Sequence, residues 1–137
     1  MTGETNLSKL IATMRPRLVD GTYVFVTMAG GKPMPDHLEP IMTFREAEGI
    51  TLILETDEAE RAGIAGSFRS RMITLDVHSS LEAVGFLAAI TACLARAGMG
   101  VNPVSAFYHD HLFVPVERAE EAMRLLVQLA GDAKGNP

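Results

Sequence analysis

The sequence predicts an α+β fold made of two tandem β-α-β-β-α units with mainly antiparallel sheets, the first unit being degenerate. Two observations predict it: strand-like and helical patterns recur in the same order in both halves, and glycine or proline punctuates the junctions between them. A composition of 47% hydrophobic and 21% charged residues is that of a globular chain with a buried core. The predicted domains are residues 1–66, a degenerate half with a leading helix, and residues 67–137.

The first half is predicted to hold a leading helix, three strands and a short closing helix. These are residues 7–14 (helix), 23–28, 41–46 and 50–56 (strands), and 57–63 (helix). Asn6 can cap the leading helix and Pro16 ends it. Glu48-Gly49 is a hairpin signal, because glycine supplies the positive φ of tight turns. The proline-rich crossover between the first two strands leaves no room for a long helix.

The second half repeats this order more fully. Its predicted segments are residues 71–78, 101–108 and 112–116 (strands), and 81–97 and 117–130 (helices). A right-handed β-α-β crossover then places the third strand antiparallel between the first two, which is the ferredoxin-like arrangement. Neither half has a fourth strand of its own in this prediction. We therefore expect strand edges to pair between halves or between chains, giving a homo-oligomer.

Charge and hydropathy narrow the function classes. A net charge of −5 argues against nucleic acid and anionic membranes as partners, since both need clustered Lys and Arg. The N-terminus lacks the apolar core of a secretory signal, and the longest apolar stretch, residues 83–95, is shorter than the ~20 residues that cross a bilayer. We expect a cytoplasmic protein without a cofactor, in which the single cysteine, Cys93, is a buried and inert thiol.

The segment of residues 76–87, DVHSSLEAVGFL, runs from a strand directly into a helix. Ser79 and Glu82 have the spacing of a capping box, which predicts a sharp helix start. Free N–H groups at that start favour a carboxylate, and Gly85 would allow a ligand to approach closely. The alternative is a well-capped helix with a purely structural role.

His109-Asp110-His111 is predicted to form the turn of the second hairpin, at the same sheet edge as His78. Histidine nitrogens and a carboxylate could bind zinc there. However, His109 and His111 across a tight turn need not converge, so we expect no metal and a structural role for the turn. No catalytic constellation is evident, because Ser79 and Ser80 beside His78 lack a G-x-S-x-G elbow.

The pattern of residues 77–113 resembles an ACT domain, with that family's strand, glycine-marked loop, helix and hairpin. Four motifs resemble more narrowly the uncharacterised bacterial tandem ACT-domain proteins. They are GTYVF at 21–25, FREAEGITLIL at 44–54, VHSSLEAVG at 77–85 and YHDHLFVP at 108–115. The resemblance covers nearly the whole chain.

This resemblance implies amino-acid binding, with strand-edge dimers that place ligands between domains. It implies ligand contacts from the loop of residues 79–85 and from Asn102. Together with the segments above, the predicted ligand-binding residues are His78, Ser79, Ser80, Val84, Gly85, Phe86, Asn102, His109 and Asp110. The predicted function is that of a non-catalytic regulatory or sensor protein for a small molecule, an amino acid. The alternatives are a metal-dependent enzyme using His78, His109 and His111, or a purely structural assembly module.

Overall fold

The computed structural model describes residues 3–30 and 33–135. Its helices and strands are α1 (Leu7–Thr13), β1 (Arg15–Leu18), β2 (Tyr23–Ala29), β3 (Met42–Arg45), β4 (Gly49–Glu55), α2 (Thr56–Arg61), β5 (Ser67–Asp76), α3 (Phe86–Arg96), β6 (Asn102–Ser105), β7 (Asp110–Pro115) and α4 (Ala119–Lys134), with a 3-10 turn at Val116–Arg118 before α4. Within the described ranges, no helix is long and apolar enough to cross a membrane.

The chain forms two compact units. The central unit is Gly21–Ser70, and the terminal unit combines Met1–Asp20 with Arg71–Pro137. Strand β5 therefore contributes residues 67–70 to the central unit and residues 71–76 to the terminal unit. The leading helix α1, which the sequence analysis grouped with the first half, packs against α3 and α4 in the terminal unit.

The central unit has the strand order β3-β4-β2-β5, and each neighbouring pair is antiparallel. This is the predicted ferredoxin-like order, with β4 between the first two strands of the unit. Leu38 of the proline-rich crossover is buried against Val24, Leu52 and Leu54, where a crossover helix would otherwise pack. Helix α2 begins at Thr56 without a side-chain cap, so the predicted start at Asp57 is wrong by one residue.

The terminal unit has the strand order β1-β5-β7-β6, which confirms that the third strand of the predicted β-α-β-β unit lies between the first two. Strand β1 supplies the fourth strand and pairs antiparallel with β5, from Arg15 opposite Asp76 to Leu18 opposite Ile73. Strand β1 belongs to the first predicted half, residues 1–66, so residues 67–137 have no fourth strand of their own, as predicted, and the strand that pairs with β5 comes from the other half. Pro16 follows the helix, as predicted, and also lies in β1 opposite Leu75, because an edge strand tolerates proline.

Three helices cover one face of the terminal unit's sheet. The largest fully buried side chains there come from α1 (Leu10), β5 (Ile73, Leu75), α3 (Ile90, Leu94), β7 (Leu112, Val114) and α4 (Leu126). Cys93 is also buried, as predicted. The predicted N-cap of α1 is confirmed, because the Asn6 side chain accepts a hydrogen bond from the Lys9 amide at 2.9 Å. The N-terminal helix thus completes the core of the C-terminal half.

Helix α3 begins at Phe86, later than the predicted start at residue 81. Gly85 occupies its N-cap with φ +89°, a left-handed conformation that only glycine adopts at low cost. Residues 79–84 form an irregular loop instead. The predicted capping box is wrong, because the Ser79 hydroxyl donates to Asp110 and the Glu82 amide donates to the Ser80 hydroxyl.

The turn of the second hairpin also lies earlier than predicted. It is formed by residues 106–109 and closed by the Ala106 amide, which donates to the His109 carbonyl at 3.0 Å. Asp110 and His111 are the first residues of β7 and therefore point to opposite faces of the sheet. Asp110 shares the helix-covered face with Leu112, while His111 lies on the other face. The alternation of side chains along β7 thus places Asp110 and His111, which were predicted to lie in one turn, on opposite faces of the sheet.

Candidate ligand site

A cavity of about 210 Å³ lies in the terminal unit where the loop of residues 79–84, the start of α3 and the β6-β7 hairpin meet. It is lined by Ser79, Ser80, Leu81, Ala83, Phe86, Leu87, Ser105, Ala106 and Asp110. The polar lining groups are Ser105 and Asp110 of the hairpin and Ser79 and Ser80 of the loop. The apolar side chains come mainly from the rest of the loop and from α3. A cavity with both polar and apolar walls can orient a small amphiphilic molecule.

Asp110 is the polar centre of this cavity. Asp110 is only 8% exposed to solvent. Its carboxylate accepts hydrogen bonds from the Ser105 hydroxyl at 2.5 Å and from the Ser79 hydroxyl at 3.4 Å. The β6-β7 register places Ser105 directly opposite Asp110. In the described part of the chain, no cationic side chain forms an ion pair with Asp110. A carboxylate has about four acceptor positions, so this one can accept further donors from a ligand.

Ser79 and Ser80 hold the loop against the hairpin. Both are buried, at 9% and 5% exposure. The Ser80 hydroxyl accepts from the Glu82 amide at 3.0 Å, and the Ser80 carbonyl accepts from the Ala83 amide at 3.0 Å. These two bonds fold residues 80–83 into a turn, and Ser79 ties that turn to Asp110.

The first turn of α3 borders the cavity on the side of Phe86 and Leu87. The Ala89 amide donates to the Gly85 carbonyl at 2.9 Å, which is the first intrahelical bond. The amides of residues 86–88 therefore precede the helical ladder, and the helix dipole gives this end a partial positive charge. The cavity thus has an anionic carboxylate on the hairpin side and a helix start that favours an anion on the other.

The structure brings four of the nine predicted site residues to this cavity, namely Ser79, Ser80, Phe86 and Asp110. Gly85 caps α3, and Val84 is 83% exposed to solvent. Asn102 lies opposite Phe113 on β6, on the sheet face away from Asp110. His78 packs against Tyr108, with the ring centroids 5.2 Å apart and the ring planes tilted by 49°. Five predicted site residues are therefore not part of the cavity wall: His78, Val84, Gly85, Asn102 and His109.

The three histidines of the metal hypothesis do not form a common site, because the His109 and His111 rings lie with their centroids 6.4 Å apart whereas His78 packs against Tyr108. His109 places Nδ1 3.3 Å from the Val77 carbonyl and Nε2 3.8 Å from Asp76, while His111 Nδ1 lies 3.0 Å from the Thr74 hydroxyl. Burial lowers the pKa of His111 from its ordinary value of 6.5, and the neighbouring His109 lowers it further. Among the described residues, no group of three or more His, Cys, Asp or Glu side chains could hold a metal ion.

Leu81 and Ala83 line the cavity and lie in the predicted loop of residues 79–85, although they were not among the named site residues. Three further lining residues were not identified from the sequence: Leu87, Ser105 and Ala106. Ser105 could have been found, because a hairpin turn at residues 106–109 places it opposite Asp110. The sequence predicts the turn at residues 109–111 instead, and with the turn at those residues Ser105 and Asp110 are not opposite each other. The apolar lining residues carry no comparable signal, since they read as ordinary core positions of a longer helix.

The fold is that of a tandem pair of small ferredoxin-like units. An ACT domain model matches residues 2–71, and a second ACT domain model matches residues 67–128. The chain belongs to the ACT domain family. Family membership supports a ligand-binding regulatory role.

The chain is also similar to several solved structures. One is a protein of unknown function from Vibrio cholerae described as a possible transport protein, with 45% identity over 90% of this chain and 95% of that chain and a TM-score of 0.80. A protein from Agrobacterium tumefaciens has 16% identity over 85% of this chain and 89% of that one, with a TM-score of 0.74.

The ligand-free regulatory subunit of aspartate kinase from Thermus thermophilus has the same fold, with 14% identity over 87% of this chain and 97% of that one and a TM-score of 0.63. No curated protein sequence matches the chain. The likenesses at low identity concern the fold alone.

Proposed function

We propose that this protein is a cytoplasmic, non-catalytic sensor that binds a small amino acid in the cavity around Asp110. The observation that carries the proposal is the buried Asp110 carboxylate, which lines the cavity without an ion-pair partner among the described residues. Burying a charge is costly unless it is paired, so a cationic ligand group would be stabilised there. The ammonium group of an amino acid is such a group.

The wall of the cavity opposite Asp110 suits the carboxylate end of the same amino acid. The start of α3 favours a carboxylate through its dipole and its amides. Leu81, Ala83 and Leu87 offer contact to a short apolar side chain. A volume of about 210 Å³ is below the ≈ 300 Å³ at which pockets for drug-sized molecules begin, which favours a ligand of amino-acid size.

We propose further that the protein acts as a homo-oligomer. Four large apolar side chains beside the cavity are exposed, between 53% and 83%: Leu81, Val84, Phe107 and Tyr108. They lie on the loop and on the hairpin turn, and Phe107 and Tyr108 stack edge to face at 5.0 Å. Apolar groups gathered in this way are typical of interaction surfaces. A second copy that covers them would also close the cavity.

Thermal unfolding in the presence of each common L-amino acid, one at a time, tests the proposal. An amino acid at about 100 times its Kd adds about 2.7 kcal/mol, which raises the Tm of a chain of this size by several degrees. We expect one amino acid or a few related ones to do so, and the Asp110→Asn variant to lose the rise. Asp20→Asn, a change at an exposed position outside the cavity, is the matched control and should keep it.

Two results would contradict the proposal. A shift produced only by divalent metal and reversed by a chelator would favour the metal-dependent reading. No shift with any amino acid or metal would leave the structural assembly module as the better account.

A further inference from the structure

Residues 3–5, which we call the N-terminal strap, lie along the loop that forms the candidate site. The Glu4 amide donates to the His78 carbonyl at 2.8 Å, and the Ser80 amide donates to the Glu4 carbonyl at 2.9 Å. The two segments run parallel, with Glu4 paired to Ser79. The strap thus holds the backbone of the residue whose hydroxyl contacts Asp110 and of the serine that follows it.

Gly3 makes this close approach possible. It has φ +102°, and a Cβ placed there would lie 2.6 Å from the Ser80 nitrogen and 2.8 Å from the Ser79 carbonyl carbon. Such distances to backbone atoms cannot be relieved by rotating a side chain. Any other residue at position 3 must move the strap or the loop.

The strap is anchored to the core through α1. The Glu4 carboxylate pairs with Lys9 at 3.1 Å and accepts from the Thr5 amide at 3.1 Å, and these two contacts lower the pKa of Glu4. Leu7 of α1 lies near the other end of the loop, 3.4 Å from where a Cβ of Gly85 would be. The N-terminal segment therefore binds the start of the loop through Glu4 and has Leu7 close to Gly85 at the end of the loop.

We propose that the strap is a positioning element for the site, so that its docking and the occupancy of the cavity are coupled. This inference rests on the proposed function. The loop of residues 79–84 has no regular structure, and the orientation of Ser79 depends on the two hydrogen bonds to Glu4. Because those bonds form only with the loop in this conformation, a docked strap favours the ligand-binding state. By linkage, an amino acid bound in the cavity must favour docking of the strap to the same degree.

Amide hydrogen exchange of Ser80 reports docking directly, without any ligand. In Gly3→Ala we expect this amide to exchange about tenfold faster or more, because the strap must leave the loop. Gly98→Ala is the matched control, since Gly98 also has a positive φ, of +72°, but has no atom within 4 Å of an added Cβ. It should leave the Ser80 exchange rate unchanged. Glu4→Pro, which removes the donor to His78 without the clash at residue 3, should reproduce the effect.

The same three variants are then compared in thermal unfolding with each common L-amino acid. The largest rise in Tm seen with the unaltered protein should fall by at least half in Gly3→Ala and Glu4→Pro and persist in Gly98→Ala. Unchanged Ser80 exchange in both strap variants would overturn the proposal, as would fast exchange with a full rise in Tm. If no amino acid stabilises even the unaltered protein, the proposed function fails, and coupling fails with it; fast Ser80 exchange would then show only that the strap docks.

Discussion

At the scale of single residues, the site depends on alternation along β7. Asp110 and Leu112 point toward the helices, whereas His111 points to the other face of the sheet. One strand therefore presents a carboxylate to the cavity and a histidine away from it. Both residues were predicted to lie in the turn, Asp110 as a ligand-binding residue and His111 only in the metal-dependent alternative. Their faces could not be predicted, because the position of the turn decides which residues of β7 face the helices.

The Asp110 carboxylate is expected to account for much of the binding energy. Asp110→Asn keeps the size of the side chain but removes the charge that would attract an ammonium group. Losing a charge-assisted hydrogen bond costs about 1.5–3 kcal/mol, so Kd should rise tenfold or more. Isothermal titration with the amino acid that stabilises the protein most measures this, and an unchanged Kd would exclude Asp110 from the site.

His111 should make stability fall in mild acid. Its pKa is lowered in the folded protein, chiefly by burial, so the unfolded chain binds a proton more readily. The free energy of unfolding is then lost as the pH decreases below the ordinary value of 6.5 and toward the lowered folded value. Denaturant unfolding between pH 7.5 and pH 5 checks this. His111→Gln should flatten the dependence, and an equal slope in both proteins would contradict the assignment. The charged and titratable groups around His111 are His109, Asp110, Arg17 and Asp76.

At the scale of elements, the N-terminal helix and strand complete the C-terminal half. Helix α1 places Leu10 in the core at 0% exposure, and β1 adds the fourth strand beside β5. The periodicity of residues 7–14 was sufficient to predict α1 and its Asn6 cap. Strand β1 was missed because its four residues, RPRL, carry no β-branched or aromatic side chain and include a proline.

Leu10→Ala is therefore expected to destabilise the terminal unit strongly. Truncating a fully buried leucine costs about 2–5 kcal/mol through lost burial and the cavity left behind. Val127→Ala, at a position 56% exposed on α4, should cost less than about 0.5 kcal/mol. Chemical denaturation of both variants gives the comparison. Equal effects would mean that α1 does not belong to the core of the terminal unit.

Helix α3 shows where sequence periodicity is insufficient. The apolar pattern of residues 81–97 is continuous, and Ser79 with Glu82 matches a capping box, yet the helix begins at Phe86. Gly85 adopts a left-handed φ, and Ser79 bonds across to another strand. A long-range hydrogen bond to Asp110 thus replaces the local cap, and no local pattern can predict that exchange.

At the scale of the whole molecule, the order of strands and helices was predictable apart from β1, and so was the family. What could not be predicted is which segments belong together. The terminal unit joins residues from both ends of the chain, and β5 serves both units with different parts of its length. Such pairings depend on contacts between residues far apart in sequence, which local patterns do not encode.

The exposed apolar side chains near the cavity lead to a prediction about assembly. If a second copy covers them, Val84→Glu should place a charge in the interface and shift the protein toward the monomer. Val127→Glu, also on an exposed valine but on α4, is the matched control and should leave the mass unchanged. Sedimentation equilibrium measures both. A monomer before any substitution, or equal masses throughout, would contradict the proposed interface.

The most direct test of the central claim is a titration followed by ¹H–¹⁵N spectra, using the amino acid that gives the largest rise in Tm. The account predicts saturable shifts concentrated at Ser79, Ser80, Ser105, Asp110 and the first turn of α3, with the central unit's resonances little changed. Shifts centred elsewhere, or none at saturating amino acid, would contradict the assignment of the cavity around Asp110 as the ligand site.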